Sequence, residues 1–355
     1  MKKVLTVLLV VIVGLSSFLP QQTSAQDIHF SQYYESPLSL NPALAGAFSA
    51  DHRFIANYKT QWASITNPYT TFAFSYDAGL MKKKLSTGFL GIGVNFFSDK
   101  AGDTQFGVTQ ANLSISYHVT LGLSSYLSAG IQSGYTQYSM KYDDLYWANQ
   151  YDGAGGFNTS LASGENVGMQ SFANVDISAG MLYSYYSPST NITSNDGFKF
   201  NIGAAVYHIN TPKHSFYELL NEQLYTRYSV HGRASIGLFS TNAAIIPSFV
   251  YFRQGTAQEI NFGTNFRFML KEESHYTGFI KEAALSIGAH YRFGDAISPQ
   301  VLLEISNYAI GCSYDVNVSS LSRASNGRGG FEIMLRYMNP SPFRYKQHGT
   351  NPSFF

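Results

Sequence analysis

Apolar and polar residues alternate along six segments of the chain. In residues 52–62, Phe54 and Tyr58 share one face, while Arg53, Asn57 and Lys59 share the other. Successive side chains of a β-strand point to opposite faces, so this period of two predicts strands with one apolar and one polar face. The six segments are 52–62, 110–119, 174–185, 260–268, 308–318 and 331–337.

Further strand-like runs fill the intervals between these segments and bring the predicted total to about fourteen strands. The runs are 71–78, 87–97, 124–138, 199–210, 224–238, 243–253, 283–293 and 299–306. A tilted membrane strand needs roughly 9–11 residues, which many of these segments have. Bacterial single-chain barrels have even strand numbers. The pattern therefore predicts an all-β fold, a transmembrane antiparallel β-barrel of about fourteen strands, or about twelve or sixteen if one hairpin is misread.

Alternation alone does not distinguish a membrane barrel from a secreted β-sandwich, whose apolar faces point inward. Composition and the first residues of the chain favour the barrel. Charged residues are only 13% of the chain and aromatic residues 15%, whereas soluble domains have about 25% charged residues. Two lysines, an apolar run over Val4–Leu19 and the small residues Thr23-Ser24-Ala25 are typical of a secretory signal peptide cleaved after Ala25. No second apolar run has the length of a membrane helix.

These features predict a single domain with short flanking segments. We expect a signal peptide at 1–25, an N-terminal plug or periplasmic segment at 26–50, the outer-membrane β-barrel at 51–338 and a C-terminal periplasmic tail at 339–355. With both ends of the barrel in the periplasm, the connection over 141–170 falls on the extracellular side, where barrel loops tend to be long.

The predicted inward face carries charges of both signs. Mixed charges around a lumen indicate salt bridges across it, in contrast to the single-sign ring of an ion filter. The residues are Arg53, Lys59, Arg227, Arg233, Arg267 and Arg336 against Asp77, Asp176, Asp315 and Glu332.

No motif for catalysis or for a cofactor is found. Ser116 and His118 share a face, but residues two apart on a strand always do, so the pair is weak evidence for a hydrolase. The histidines, among them His118, His208 and His231, lack the spacing of a zinc site and are predicted lumen or loop residues. Net charge is +1, which gives no reason to expect a nucleic-acid partner.

Calcium binding and disulfide bonding are the other site chemistries that the composition raises. Four loop carboxylates lack the alternating ligand spacing of a calcium loop, and solvated loop charges are the simpler interpretation. They are Asp143, Asp144, Asp152 and Glu165. The single Cys312 excludes an intramolecular disulfide and is expected to act as a small apolar residue.

Four motifs resemble the PorP/SprF family of type IX secretion system membrane proteins from Bacteroidetes. They are FSQYYESPLSLNPALAG (Phe30–Gly46), IIPSFVYFRQG (Ile245–Gly255), IGCSYDVNVSSL (Ile310–Leu321) and GGFEIMLRY (Gly329–Tyr337). The resemblance implies an outer-membrane barrel of the secretion and gliding machinery that binds machinery proteins and a secreted adhesin-like cargo. It implies no enzymatic activity and no cofactor. The main alternative is an outer-membrane transporter for apolar small molecules, which would need an apolar tunnel where the predicted inward faces are polar.

The N-terminal stretch before the first strand holds the candidate site. Asn41-Pro42 favours a turn, Pro37 keeps the preceding residue extended, and the aromatic residues need a surface to cover them. Two interpretations stay open: a plug that fills the barrel, or a docking segment for a partner protein. The candidate residues for either role are Phe30, Gln32, Tyr33, Asn41, Pro42 and Gly46.

Overall fold

The computed structural model describes residues 27–339 apart from 64–66, 83–84, 86, 103, 123, 142–144, 152, 154–155, 159, 165–168, 188–196, 218–221, 272–281 and 321. The described residues form the strands β1 (His52–Gln61), β2 (Tyr69–Leu80), β3 (Gly88–Ala101), β4 (Phe106–Thr120), β5 (Ser125–Ser139), β6 (Ser171–Ser187), β7 (Phe198–Tyr207), β8 (Arg227–Gly237), β9 (Ala243–Gln254), β10 (Ala257–Lys271), β11 (Ala283–Arg292), β12 (Ala296–Ile305), β13 (Tyr308–Asn317) and β14 (Arg328–Asn339). Every strand pairs antiparallel with its neighbours in sequence, and β14 pairs with β1. The predicted fourteen-stranded antiparallel barrel is confirmed.

The two faces of the barrel wall follow the alternation of the sequence. On β4, Leu113 and Ile115 are each 46% exposed on the outside, whereas Ser114 and Ser116 are buried inside. A barrel in a membrane presents apolar residues to lipid and polar residues to its lumen. The periodicity of each strand therefore fixes which of its side chains line the interior.

Predicted and observed strand boundaries differ by a few residues, chiefly beside loops. The run predicted over 199–210 ends as β7 at Tyr207, because His208 adopts a left-handed backbone conformation with φ of 56°. The run predicted from 224 begins as β8 only at Arg227. A residue with positive φ leaves the extended region, and an alternation pattern gives no sign of it.

Residues 27–50, hereafter the N-terminal segment, lie inside the barrel. Two 3-10 turns, Tyr33–Glu35 and Pro42–Leu44, flank one helical turn, Pro37–Leu40. Leu38, Leu40 and Phe48 are at most 2% exposed. No helix in the described part of the chain is long and apolar enough to cross a membrane.

The N-terminal segment extends from one end of the barrel to the other. Asp27 contacts His208, just after β7, and Gln254, at the end of β9. At the opposite end, the carbonyl oxygens of Phe48 and Ala50 accept hydrogen bonds from Lys82, which follows β2. We call the end that holds Asp27 the far rim, and the end where β1 begins and β14 ends the near rim.

The longest connection leaves the barrel at the far rim. It joins the end of β5 at Ser139 to the start of β6 at Ser171 and contains one 3-10 turn, Ala148–Gln150. The loop carboxylates considered for calcium, the predicted signal peptide and the predicted C-terminal tail from 340 onward lie outside the described residues.

Candidate functional site in the barrel lumen

All six candidate residues of the N-terminal segment are buried against the inner wall. Phe30, Gln32 and Tyr33 belong to the part of the segment nearer the far rim, and Gly46 lies close to the near rim. The segment thus lies within the lumen, and polar strand residues line the wall around it.

Two ion pairs with Asp27 fix the start of the segment at the far rim. His208 Nε2 lies 2.6 Å from Asp27 Oδ2, and its Nδ1 lies 3.0 Å from Asp176 Oδ1. Arg227 Nη1 is 3.3 Å from the same Asp27 oxygen. Burial disfavours charge on His208, but the two carboxylates outweigh it and raise the pKa of His208 to about 9. Burial also opposes charge on Asp27, yet Arg227 and His208 hold its pKa well below its ordinary value.

We expect this contact to loosen when the solution is made alkaline. The pKa of His208 is raised, so its stabilisation is complete below its unfolded value of 6.5 and is lost as the pH rises through about 9. The pKa of Asp27 is lowered, so its contribution is lost only in acid, below its ordinary 3.8. Hydrogen exchange of residues 27–35, corrected for intrinsic rates, should be slow at about pH 7 and faster at about pH 10.

A matched variant shows whether the pH effect belongs to this histidine. His208→Asn removes the titrating group, and its exchange over residues 27–35 should be fast at both pH values. Unchanged protection of the original protein at both pH values would contradict the assignment.

Two buried carboxylates of the last strands hold the backbone at Ser31 and Gln32. Glu332 accepts hydrogen bonds from the amide of Ser31 at 2.8 Å and from that of Gln32 at 3.1 Å. Asp315 accepts from Ser31 Oγ at 2.8 Å and from Arg292 Nη2 at 2.8 Å. A buried charge without a partner is costly. These bonds give the two carboxylates of the wall their hydrogen-bond donors and fix the backbone of the segment at the same time.

The aromatic residues of the segment are covered by polar groups of the wall. Tyr33 Oη lies 2.9 Å from Ser248 Oγ, which is itself 2.9 Å from His290 Nε2. The Tyr33 ring meets the His290 ring edge-on at 5.5 Å between centroids. The hydroxyl of Tyr34 is 3.3 Å from His231 Nδ1. A tyrosine buries its ring and still needs a partner for its hydroxyl, which a polar lumen provides.

Asn41 connects the segment to three strands. Its Nδ2 donates to the carbonyl oxygens of Met181 at 2.9 Å and Ala204 at 3.3 Å, and lies 3.1 Å from His231 Nε2. Its Oδ1 accepts from the amide of Ala43 at 2.8 Å. The side chain therefore caps the 3-10 turn that begins at Pro42 while it anchors that turn to the wall.

Glycines of the wall make room for Asn41. A Cβ at Gly180 would lie 2.1 Å from Asn41 Oδ1, and one at Gly203 would lie 2.8 Å from Asn41 Nδ2. Real carbon atoms do not approach so closely. These two glycines belong to inward faces that the sequence analysis described only as polar. Their lack of a side chain leaves the space in which the N-terminal segment packs.

A buried ion pair holds the segment near the other rim. Arg53 and Asp77 stand opposite each other on β1 and β2. Arg53 Nε and Nη2 donate to the two Asp77 oxygens at 2.9 and 2.8 Å. Gly46, with φ of +71°, donates its amide to Asp77 Oδ2 at 2.8 Å.

Ser116 and His118 do contact each other, at 2.9 Å between Oγ and Nε2. His118 Nδ1, however, lies 2.6 Å from Ser128 Oγ, where a hydrolase triad would place a carboxylate. The carbonyl oxygen of Ala45 is 2.7 Å from Ser116 Oγ and 2.8 Å from His118 Nε2. The geometry is that of a clamp on the N-terminal segment.

Of the inward charges named from the sequence, Arg53 and Asp77 pair with each other on neighbouring strands, and other named cations pair with carboxylates that the sequence analysis had not named. Besides Arg53 and Asp77, Arg336 pairs with Glu35 at 2.6 Å and with Glu304 at 3.0 Å. The sequence interpretation did not single out Glu304 or Arg292, although the alternation of their strands could have placed both inward. Asp27 and Glu35 lie in a stretch without periodicity, so no signal marked them.

Two small cavities lie between the described part of the segment and the wall. A cavity beside Tyr33 and Arg233 has about 30 Å³, and one beside His29 and Glu259 has about 10 Å³. One water needs roughly 10–15 Å³ of such space, so the larger cavity has room for two or three waters and the smaller one for one at most. Among the described residues, no group of three or more His, Cys, Asp or Glu side chains could hold a metal ion.

Several solved structures are similar to the chain at low identity. The toluene transporter TbuX of Ralstonia pickettii has 10% identity and a TM-score of 0.46, over 89% of this chain and 95% of that one. The monoaromatic hydrocarbon channel CymD has 11% identity and a TM-score of 0.42, over the same shares. What these two proteins transport does not carry over at such similarity. No curated protein sequence matches the chain significantly.

The family comparison is more specific. The chain matches the family described as "Type IX secretion system membrane protein PorP/SprF" over residues 22–337, which spans the N-terminal segment and almost the whole barrel. The closed barrel has an apolar outer face and a polar lumen, as outer-membrane proteins do. The chain belongs to the PorP/SprF family and is an outer-membrane β-barrel component of the type IX secretion system.

Proposed function

We propose that this protein is a sealed barrel that acts by binding partner proteins at its rims. In this function it helps to export a secreted cargo, or to anchor it at the cell surface, as part of the type IX machinery. The observation that supports the proposal is the filled lumen. A barrel whose interior is occupied along its length is suited to holding other proteins, and poorly suited to conducting solutes.

The N-terminal segment is bonded around the circumference of the barrel. Its partners lie on β1 and β2 (Arg53, Asp77), on β4 and β5 (Ser116, Gln132), on β6, β7 and β8 (Met181, Ala204, His231), on β9 (Ser248), and on β13 and β14 (Asp315, Glu332). A segment fixed on all sides opens only if many bonds break together. This favours the plug over a mobile gate.

The same burial weighs against the docking interpretation. Phe30, Tyr33 and Asn41 are at most 5% exposed, so a partner protein could reach them only after the segment had left the barrel. Partner binding is therefore assigned to the rims. The far rim carries the 140–170 connection, in which Tyr146 and Tyr151 are 76% and 60% exposed; exposed tyrosines are frequent binding anchors.

Transport of apolar small molecules is the less suitable function. It requires a continuous apolar passage, whereas the described lumen is lined by charged and amide side chains and holds cavities of about 10 and 30 Å³.

Two triple variants test the proposal. Phe30→Ala, Tyr33→Ala and Asn41→Ala together should loosen the plug, so the conductance of the barrel in a planar bilayer should rise while partners stay bound in a pull-down. Tyr146→Ala, Tyr151→Ala and Leu161→Ala together change exposed residues of the far-rim connection. That variant should keep the conductance low and lose partners.

The opposite pattern would overturn the proposal. Loss of partners in the first variant with a tight barrel would make the N-terminal segment a docking site. High conductance of the unaltered protein would show that the barrel is not sealed.

A further inference from the structure

A groove of about 380 Å³ opens on the outer face of the barrel at the far rim. It lies between the loop that follows β7 and the turn that joins β9 to β10. Its lining residues are Thr211, Gln223, Leu224, Tyr225, Thr226, Tyr228, Arg253 and Gly255. The groove is more than ten times larger than either cavity described for the lumen, and it shares no lining residue with them.

The loop side of the groove is an ordered structure. The amide of Leu224 donates to the carbonyl oxygen of Pro212 at 3.0 Å, and Lys213 pairs with Gln223 as an isolated bridge. Thr226 Oγ1 donates to the carbonyl oxygen of His208 at 3.4 Å. The backbone around Leu224 and Gln223 and the Thr226 side chain are thus held in place before any ligand arrives, which reduces the entropic cost of binding.

Among the described residues that line the groove, Arg253 alone is charged. It stands directly opposite Tyr228 on β8 and Gln258 on β10, and its side chain is exposed. Its neighbour along the strand, Gln254, points into the lumen and bonds to Asp27. The alternation of β9 therefore directs Arg253 to the outside of the barrel.

The groove lies at the far-rim border of an apolar surface on the outside of the barrel. Further from the rim on the same face, Val230, Phe249 and Phe262 are 37%, 40% and 48% exposed. Tyr225 and Tyr228 stand beside the groove and are 68% and 52% exposed. Tyrosines at such a border form the aromatic girdle that meets the lipid headgroups, so Arg253 lies at headgroup depth.

We propose that this groove binds the phosphate of an anionic membrane lipid, with its acyl chains against the apolar outer surface of the barrel. The guanidinium of Arg253 pairs with phosphate through two parallel hydrogen bonds. Thr211 and Gln223 supply further hydrogen-bond donors, whereas the Thr226 hydroxyl already donates to the carbonyl oxygen of His208. None of the described residues that line the groove is a carboxylate that would compete for the arginine. Arg253 lies directly beside the apolar surface that faces the lipid. This position favours a lipid as the ligand over a free phosphate ion.

The test compares lipid retention by native mass spectrometry of the full-length protein in micelles with added phosphatidylglycerol or phosphatidylcholine. The original protein should retain phosphatidylglycerol preferentially. Arg253→Gln should reduce that retention about five-fold, which corresponds to about 1 kcal/mol per basic residue at a membrane surface. Arg253→Lys should keep part of it, because lysine retains the charge without the bidentate geometry.

Lys100 provides the matched control. It is exposed near the end of β3, at the far rim but outside the groove, so Lys100→Gln should retain phosphatidylglycerol like the original protein. Heat-dependent mobility in gels confirms that each variant is folded. Equal retention by Arg253→Gln and the original protein, or equal loss in both variants, would overturn the proposal. Displacement of the lipid by inorganic phosphate alone would assign the site to free phosphate and would overturn the lipid assignment as well.

Discussion

Replacing Asp77 by leucine is expected to lower the free energy of unfolding by about 3–5 kcal/mol, as when one partner of a buried ion pair is removed. Asp77 is completely buried and receives two hydrogen bonds from Arg53 and one from the amide of Gly46. In the variant the guanidinium stays in the lumen without its carboxylate. Urea titration of the protein folded in lipid vesicles measures the loss.

The double variant Arg53→Met and Asp77→Leu is the control. Replacing a buried pair by apolar residues of similar volume is often neutral, so it should recover most of the stability. The amide of Gly46 still lacks its acceptor, which leaves a deficit of about 1–3 kcal/mol. If Asp77→Leu alone lowered the free energy of unfolding by less than about 1 kcal/mol, the ion pair would be exposed to solvent. That result would contradict a filled lumen around Asp77.

Replacing Leu113 by arginine is expected to cost about 2–4 kcal/mol. Leu113 is the eighth of the 15 residues of β4 and faces outward, so the charge would enter the middle of the lipid layer. The same unfolding measurement in vesicles applies.

The control for Leu113→Arg lies just beyond the same strand. Leu121 is 58% exposed in the turn that follows β4, and because the penalty depends on depth, Leu121→Arg should cost about 0–1 kcal/mol. Equal losses at the two positions would show that β4 does not cross the lipid as assigned.

The structure changes what the sequence predicts for the inward neighbour of Leu113. A polar lumen suggests that Ser114→Arg is milder than Leu113→Arg. Ser114 is completely buried, however, and accepts a hydrogen bond from Gln132 at 2.8 Å, while Gln132 also donates to the carbonyl oxygen of Leu38. An arginine there would displace the N-terminal segment, so we expect a loss comparable with that of the outward variant, caused by overpacking.

The alternation of residues such as Leu113, Ser114 and Ile115, with the strand-like runs between the alternating segments, was enough to predict about fourteen strands and the face that the alternating side chains occupy. This follows because a pleated strand has a side-chain period of two, and because lipid outside and polar groups inside demand opposite residue types. The family motifs at Phe30–Gly46 and near the last strands were likewise readable from the chain alone.

Contacts distant in sequence could not be predicted in that way. Arg53 and Asp77 were both placed inward, but their pairing depends on the register of β1 against β2. The bonds of Ser31 to Glu332 and Asp315 join residues about three hundred positions apart, and the groove at Arg253 needs a loop folded against a distant turn.

The sequence by itself determined the strands and their two faces, because alternation is a local signal, and the low charge together with the first residues favoured a membrane barrel. Only the tertiary structure decided the place of residues 27–50, which have no period and acquire their conformation from the wall around them. Asn41 illustrates the reason: its neighbours in sequence predict a turn, but its position depends on Gly180, Gly203 and His231, which come together only when β6, β7 and β8 are side by side in the closed sheet.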